Sequence, residues 1–210
     1  MTPSDIVQPI VDPWRVMRLG GQWVIERPLD GSGVPALANA GVAAALGESC
    51  LAFEGLLRPW HVSVVAPLAE SERGRFYERE WSGDVPHDVF WRRVVDEVRD
   101  APTPLHEVAA RFDVRAYART QRSAREPERA WLRLPNTLTI TAHPDDNVLH
   151  LFLMMEHTLF SAIDNAALHA LNQPLLEPCM RSWEARLGPI IESHWGEAVF
   201  RYGYRDVTAR

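Results

Sequence analysis

The chain of 210 residues contains no lysine, so all 22 residues in its Lys and Arg total are arginine. Without a lysine amine the chain cannot form a Schiff base, which excludes pyridoxal phosphate attached through this chain and imine-forming aldolase chemistry. A phosphate-binding loop that ends in Gly-Lys is excluded for the same reason. A coding bias toward arginine would give the same composition, but the exclusions hold under either explanation.

Cysteine is also scarce, and Cys50 and Cys179 lie far apart and outside any CxxC pattern. We therefore expect reduced core thiols rather than a disulfide framework or a thiolate zinc site. No apolar run reaches the length of a membrane span, and residues 1–12 lack the basic and apolar regions of a secretory signal. The sequence predicts a soluble, cytoplasmic protein without a membrane partner.

The pattern of apolar and turn-forming residues predicts a single α+β domain over residues 1–210. Strands are predicted at residues 15–19, 22–26, 61–66, 137–142, 148–153 and 198–207. Helices are predicted at residues 35–57, 70–81, 89–98, 155–172 and 181–194, with a further helix that begins at residues 103–104. Short connections at residues 20–21 and 143–147 favour hairpins, so we expect an antiparallel sheet built from hairpins with packed helices.

Seven arginines in the middle of the chain are spaced by three or four residues, which is the spacing that places side chains on one face of a helix. They are Arg111, Arg115, Arg119, Arg122, Arg125, Arg129 and Arg133. A helix here would present a cationic face to phosphates or carboxylates, with Arg115, Arg119 and Arg122 as substrate-binding candidates. A solvated or salt-bridged surface is the simpler explanation of the same spacing.

Residues 104–122 also resemble a helix-turn-helix, because their apolar residues fit its first helix and turn. Asp113 stands where the turn usually has glycine, and Arg119 and Arg122 stand where the recognition helix should be apolar. The net charge of −6 further disfavours a nucleic-acid-binding domain.

Histidines and carboxylates are concentrated between His143 and His169, and both kinds of side chain serve acid–base catalysis and metal binding. On a helix, His157 and Asp164 would lie about two turns apart on the same side. We therefore predict Glu156, His157 and Asp164 as catalytic residues, with His157 and Asp164 also as metal ligands.

Glu54 and His61 are seven residues apart, a spacing that resembles the first-helix ligands of the haem-oxygenase-like dinuclear iron oxidases. In that family a later helix supplies a histidine, an acid and a second histidine, and the corresponding residues here are His157, Ser161 and Asp164. Two of these three positions depart from the family pattern. The resemblance implies an iron site that includes Glu54 and His61.

Residues 142–146 are similar to the signature of the zinc-dependent N-acetylglucosamine deacetylases, which implies zinc ligation by His143 and Asp146 with Asp145 as the base. The same Pro-Asp-Asp letters are typical of a turn between two strands, and few residues follow them to build the remainder of that fold. We favour the turn.

Two functional hypotheses follow from these observations. The first is a small-molecule enzyme with a His/carboxylate pocket, with or without iron or zinc, that acts on an anionic substrate. The second is a noncatalytic binding protein whose arginine face docks an acidic protein, a phosphorylated ligand or, with less support, nucleic acid. For the second hypothesis we also consider a homodimer.

Overall fold

The computed structural model describes most of the chain, in segments separated by short gaps. The described residues are 6–7, 21–30, 34–67, 76–82, 87–99, 101, 104–123, 125–133, 138–155, 159–160, 166–194 and 199–204. All structural statements below refer to these residues.

Helices and a large sheet share the described chain. The helices are α1 (Pro35–Ala52), α2 (His87–Arg99) and α3 (Ala166–Leu187). The strands are β1 (Ile6–Val7), β2 (Gly21–Pro28), β3 (Leu57–Pro67), β4 (Phe76–Ser82), β5 (Glu107–Ala118), β6 (Glu128–Arg133), β7 (Leu138–Asp145), β8 (Val148–Met155), β9 (Ile190–His194), β10 (Val199–Phe200) and β11 (Gly203–Tyr204). This is the α+β class that the sequence predicts, whereas the single-domain expectation stays a prediction.

The main sheet is mixed but mostly antiparallel, with the order β1-β6-β5-β7-β8-β2-β9. Strand β5 lies at its centre, because β3 pairs along one of its edges while β6 and β7 pair with different halves of the other edge. Among the described strands, only the short β1 pairs in parallel, with β6. Strands β7 and β8 are antiparallel neighbours joined at residues 146–147, where Asp146 adopts a positive φ of 45°. The favoured turn is therefore present at residues 146–147, but it is shorter than the expected connection, because residues 143–145 belong to β7.

The predicted arginine helix is wrong, because residues 107–118 form strand β5. The reason is visible in the apolar residues between the arginines, which recur at every second position in Val108, Ala110, Phe112, Val114 and Ala116. These five side chains are at most 1% exposed, so one face of the strand is buried as period-two patterning requires. A spacing of four residues keeps Arg111 and Arg115 on one side of a strand as well as of a helix. The helix expected from residues 103–104 and the helix-turn-helix are wrong for the same reason.

Other differences from the expected elements have local causes. The predicted helix at 70–81 is wrong for residues 76–81, which lie in β4, where aromatic residues suit pairing with β3. The predicted strand at 15–19 lies outside the described residues, and its expected partner β2 pairs instead with β8 and β9 on its two edges. Residues 198–207 divide into β10 and β11 over their described part, and these two short strands form a separate antiparallel pair.

The last helix also differs from the prediction, because α3 is continuous from Ala166 to Leu187. Its buried residues recur every three or four positions and include Leu168, Leu176, Met180 and Trp183. This apolar stripe holds the helix together through Pro174 and Pro178. The expected helix at 181–194 therefore ends early, at Gly188 with φ of 116°, and residues 190–194 form β9.

The core lies between the helices and one face of the sheet. Val42 and Leu46 of α1 and Trp183 of α3 belong to the same buried cluster as the even-numbered residues of β5. The Trp183 indole Nε1 donates a 2.9 Å hydrogen bond to Ser49 Oγ, so the helix–helix contact includes a satisfied buried polar pair. We call the opposite face of the sheet, which carries the odd-numbered residues of β5, the outer face. Among the described helices, none is long and apolar enough to cross a membrane.

Asn172, whose side chain is buried, joins α3 to β5 and to Leu159 through three hydrogen bonds. Its side-chain oxygen accepts from the Tyr117 backbone N–H at 2.8 Å, and its amide donates to the Tyr117 and Leu159 carbonyl oxygens at 2.9 Å. The Asn172 side chain thus binds both backbone groups of Tyr117 in β5, as a neighbouring strand would.

Replacing Asn172 with Ala should lower the free energy of unfolding by about 3 kcal/mol, because the hydrogen bonds from its buried side chain to Tyr117 and Leu159 are lost. Urea denaturation of the purified variant would measure the change. The neighbouring Leu171→Ala is the control, because Leu171 is 39% exposed, and its effect should be below about 1 kcal/mol. Equal effects of the two substitutions would contradict the role of the Asn172 amide.

Glu184 on α3 ties the C-terminal strand pair to the helix. Its carboxylate accepts hydrogen bonds from Tyr202 Oη, the Arg201 guanidinium and the Ile190 backbone N–H. Burial acts to raise the pKa of Glu184, but the hydrogen bonds from Tyr202 and Arg201 outweigh it, so its pKa falls below the ordinary value of 4.5. A carboxyl group whose folded pKa is lowered stabilises the fold above its unfolded pKa and loses that contribution as the pH falls.

Glu184→Gln should therefore destabilise the protein at neutral pH, and the difference from the wild type should shrink as the pH falls from 4.5 through the lowered pKa of Glu184. Thermal unfolding at a series of pH values would give both curves. A difference that stays constant across this range would show that the carboxylate charge is not what stabilises the strand pair.

Candidate functional site

The predicted catalytic residues Glu156, His157 and Asp164 lie outside the described residues, so their roles stay predictions. The other two proposed metal ligands lie on different elements. Glu54 lies in the exposed turn after α1, whereas His61 is buried on β3, so they do not share the helix that the iron-oxidase resemblance implies. Within the described ranges, no group of three or more His, Cys, Asp or Glu side chains is placed to hold a metal ion.

A row of histidines crosses one end of the outer face. The rings of His106 and His143 meet edge to face with their centroids 4.9 Å apart, and His143 is the register partner of His150. His150 Nδ1 lies 3.3 Å from Glu26 Oε1 on β2. His143 therefore packs in a histidine row rather than in the ligand set that the deacetylase resemblance implies.

The centre of the outer face is organised by one buried carboxylate, Asp113 of β5. Arg58 on β3 and Arg133 on β6 are its register partners on the two sides. Arg133 Nε and Nη2 bind the two carboxylate oxygens at 2.9 and 3.2 Å, while Arg58 Nη2 binds Oδ2 at 3.1 Å. The Asp113 side chain is 0% exposed, whereas those of Arg58 and Arg133 are 20% and 28% exposed. Both arginines thus bind one buried carboxylate, while part of each arginine side chain remains exposed to solvent.

Each of these two arginines then reaches across β5 to a tryptophan of the opposite strand. The Arg58 guanidinium lies 4.7 Å from the ring centroid of Trp131 on β6, and the Arg133 guanidinium lies 4.6 Å from that of Trp60 on β3. Cation–π contacts of this length orient the planar guanidinium over the ring. We call the five side chains Arg58, Trp60, Asp113, Trp131 and Arg133 the crossed cluster.

Three further arginines surround the crossed cluster on the same face. Arg115 is the register partner of Trp131, Arg129 is that of Tyr117, and Arg111 is that of His61. Arg115 and Arg129 are exposed and Arg111 is half-buried. Within the part of the chain that the structure describes, none of the three forms an ion pair.

The remaining substrate-binding candidates lie beyond the end of β5. Arg119 and Arg122 are exposed, and the Arg122 backbone N–H donates to Thr120 Oγ1 in a turn. Of the three arginines predicted to act together, only Arg115 therefore lies beside the crossed cluster. The shared helical face of Arg115, Arg119 and Arg122 is wrong because the chain is extended through Ala118 and then turns.

The outer face at the crossed cluster has a surplus of positive charge and of hydrogen-bond donors. Five arginines, Arg58, Arg111, Arg115, Arg129 and Arg133, lie on this face of β3, β5 and β6. The described carboxylates of the same face and strands are Asp113 and, at the start of β5, Glu107, so five cations face two anions. The Trp60 indole Nε1 is buried and finds no acceptor within the described residues. Because a buried donor without an acceptor is costly, this surface favours a ligand rich in acceptors.

Sequence reasoning missed Asp113, Arg58 and both tryptophans of the crossed cluster. The signal that could have found them is the alternation on β5, where Asp113 occupies an odd position between Arg111 and Arg115. A strand with a buried even face carries those three side chains on its other face. The partners on β3 and β6 come from pairing across the sheet, which no local pattern encodes.

Comparison with known proteins adds no further constraint on the site. Neither a protein-family model nor a curated protein nor a solved structure matches the chain.

Asp113→Asn should lower the free energy of unfolding by about 3 kcal/mol, because the substitution leaves two partly buried arginines without their anion. Chemical denaturation would measure the loss. Asp96→Asn provides the matched control, since Asp96 pairs with Arg99 on the exposed surface of α2 and should cost less than about 1 kcal/mol. A small effect at Asp113 would mean that the crossed cluster does not need the carboxylate charge.

Proposed function

We propose that this chain is a noncatalytic binding protein whose outer sheet face docks an acidic segment of a partner protein. The observation that carries the proposal is the balance of five arginines to two described carboxylates, Asp113 and Glu107, on the outer face of β3, β5 and β6. A surface with excess positive charge attracts anionic partners and disfavours the binding of cationic ones.

The partly exposed tryptophans support a protein partner, since aromatic residues and arginine are enriched where proteins meet. An arginine guanidinium lies over the ring of each of Trp60 and Trp131, so apolar and cationic surface are adjacent. An acidic segment with some apolar side chains would match both properties.

The same contacts argue against nucleic acid as the partner. Single-stranded nucleic acid is bound largely by stacking bases on open aromatic faces, and guanidinium groups already lie over the rings of Trp60 and Trp131. The chain also carries a net charge of −6, which opposes binding to a long polyanion.

The enzyme hypothesis depends on Glu156, His157 and Asp164, and the described geometry adds nothing to it. Their part in catalysis, and a role for iron or zinc, stay predictions of the sequence. The outer face supports the binding hypothesis with specific contacts, so we place the binding function first.

Binding of fluorescein-labelled polyglutamate, followed by fluorescence anisotropy, would test the proposal. We expect binding that weakens steeply as salt is added, because exposed charges are screened. Arg115→Gln and Arg129→Gln should each weaken binding by about threefold, the scale of an exposed ion pair.

Arg92→Gln is the charge-matched control, because Arg92 is exposed on α2, which packs on the other side of the sheet. It should leave the affinity for polyglutamate unchanged. If Arg92→Gln and Arg115→Gln lowered the affinity for polyglutamate equally, binding would depend on the net charge of the protein rather than on the outer face. This result would overturn the proposed site. Tighter binding of duplex DNA than of polyglutamate would overturn the choice of a protein partner.

A further inference from the structure

We infer that Arg58 and Arg115, which are both neighbours of Trp131, form a binding site for a phosphorylated side chain of the docked segment. This inference rests on the proposed docking function and names the ligand chemistry of one part of the surface.

Two arginines of different strands are neighbours of the Trp131 side chain. Arg58 reaches Trp131 from β3, with its guanidinium 4.7 Å from the ring centroid. Arg115 is the direct register partner of Trp131, and residues opposite each other in antiparallel strands have Cβ atoms about 5 Å apart. Arg58 and Arg115 are therefore both neighbours of Trp131 on the outer face, where one ligand can contact both.

Arg58 is held in place but keeps donors for a ligand. Its Nη2 binds Asp113 Oδ2 at 3.1 Å, and stacking on Trp131 fixes the guanidinium plane. Among the described residues, its Nε and Nη1 make no hydrogen bond, and 20% of the side chain remains exposed. Arg115 is exposed and adds a second set of donors without an ion pair in the described chain.

The other half of the crossed cluster is less suited to an anion. Arg133 binds both oxygens of Asp113, through Nε at 2.9 Å and Nη2 at 3.2 Å, so it provides most of the neutralisation of that carboxylate. Its neighbour Arg111 is half-buried and faces His61 across the strands. The residual positive charge is therefore greatest on the side of Arg58 and Arg115.

The charge and donor count of this pair match a phosphate monoester better than a carboxylate. With Asp113 neutralised mainly by Arg133, Arg58 and Arg115 present two positive charges. A phosphorylated serine or threonine carries about −1.5 to −2 at neutral pH and has three acceptor oxygens. A carboxylate has one charge and two oxygens, so it can satisfy one guanidinium fork well but not two.

Three synthetic peptides would test this inference. They share one acidic sequence of Glu and Gly residues and differ at a single central position, which holds serine, glutamate or phosphoserine. We expect the phosphoserine peptide to bind the wild-type protein about tenfold more tightly than the glutamate peptide, which corresponds to about one additional charge-assisted hydrogen bond.

Variants of two arginines on the same face separate the specific site from general attraction. Arg115→Gln should abolish the advantage of phosphoserine over glutamate, whereas Arg111→Gln should weaken all three peptides alike and keep the advantage. Circular dichroism and thermal unfolding would show that both variants are folded. Arg115→Lys should restore only part of the advantage, because an ammonium group lacks the guanidinium fork.

The possible results distinguish this inference from the proposed function. If the glutamate and phosphoserine peptides bind equally well, or if Arg115→Gln keeps the phosphoserine advantage, the phosphate site is wrong while acidic docking stands. If none of the peptides binds, both the docking function and the inference fail. If inorganic phosphate alone binds as tightly as the phosphopeptide, the site is not one for a docked segment.

Discussion

The buried carboxylate of Asp113 is the constraint on which the outer face depends. A charged carboxylate with no exposed surface needs compensating partners, and Arg58 and Arg133 supply them from the two neighbouring strands. Because both arginines are drawn inward to one anion, they cross β5 and lie over the tryptophans on the far strands. One buried charge on β5 therefore fixes the orientation of four side chains on the two neighbouring strands, β3 and β6.

The two faces of β5 have different roles: one packs in the core, and the other carries the charged residues of the proposed docking surface. Its even positions, such as Phe112 and Val114, join the core beneath the helices, and Asn172 of α3 binds the backbone of Tyr117 near the end of the strand. Its odd positions carry the charged residues. Substitution of an exposed arginine on the odd face removes no core contact, so binding can change there with little loss of stability.

The sequence was sufficient for features that a local pattern encodes. The α+β class, the helix at 89–98 and the strands at 137–142 and 148–153 all have a clear apolar period and turn signals, and they agree with α2, β7 and β8. The helix predicted from the arginines was wrong because a spacing of four residues keeps side chains on one side of a strand as well as on one side of a helix. The small apolar residues between the arginines, Ala109, Ala110 and Ala116, carry little period of their own, so the period-two signal of Val108, Phe112 and Val114 was weak.

The candidate site could be predicted only in part, for a physical reason. Arg115 stood out in the sequence, but its meaning depends on neighbours that come from β3 and β6. Arg58 and Trp131 are 73 positions apart in the numbering and meet because both strands pair with β5. Pairing across a sheet is decided by the packing of the whole core, so such contacts have no local signature.

Overall charge and local charge have opposite signs in this protein, and the difference bears on how it would select a partner. The chain carries −6, so at a distance it repels polyanions, and screening limits even this effect to about 10 Å at moderate ionic strength. The arginines of the outer face act only when a ligand lies within that range. A short acidic segment can place its charges on this surface alone, whereas a long polyanion must also pass the acidic remainder of the molecule. The arrangement therefore favours recognition of a short anionic segment over binding to an extended one.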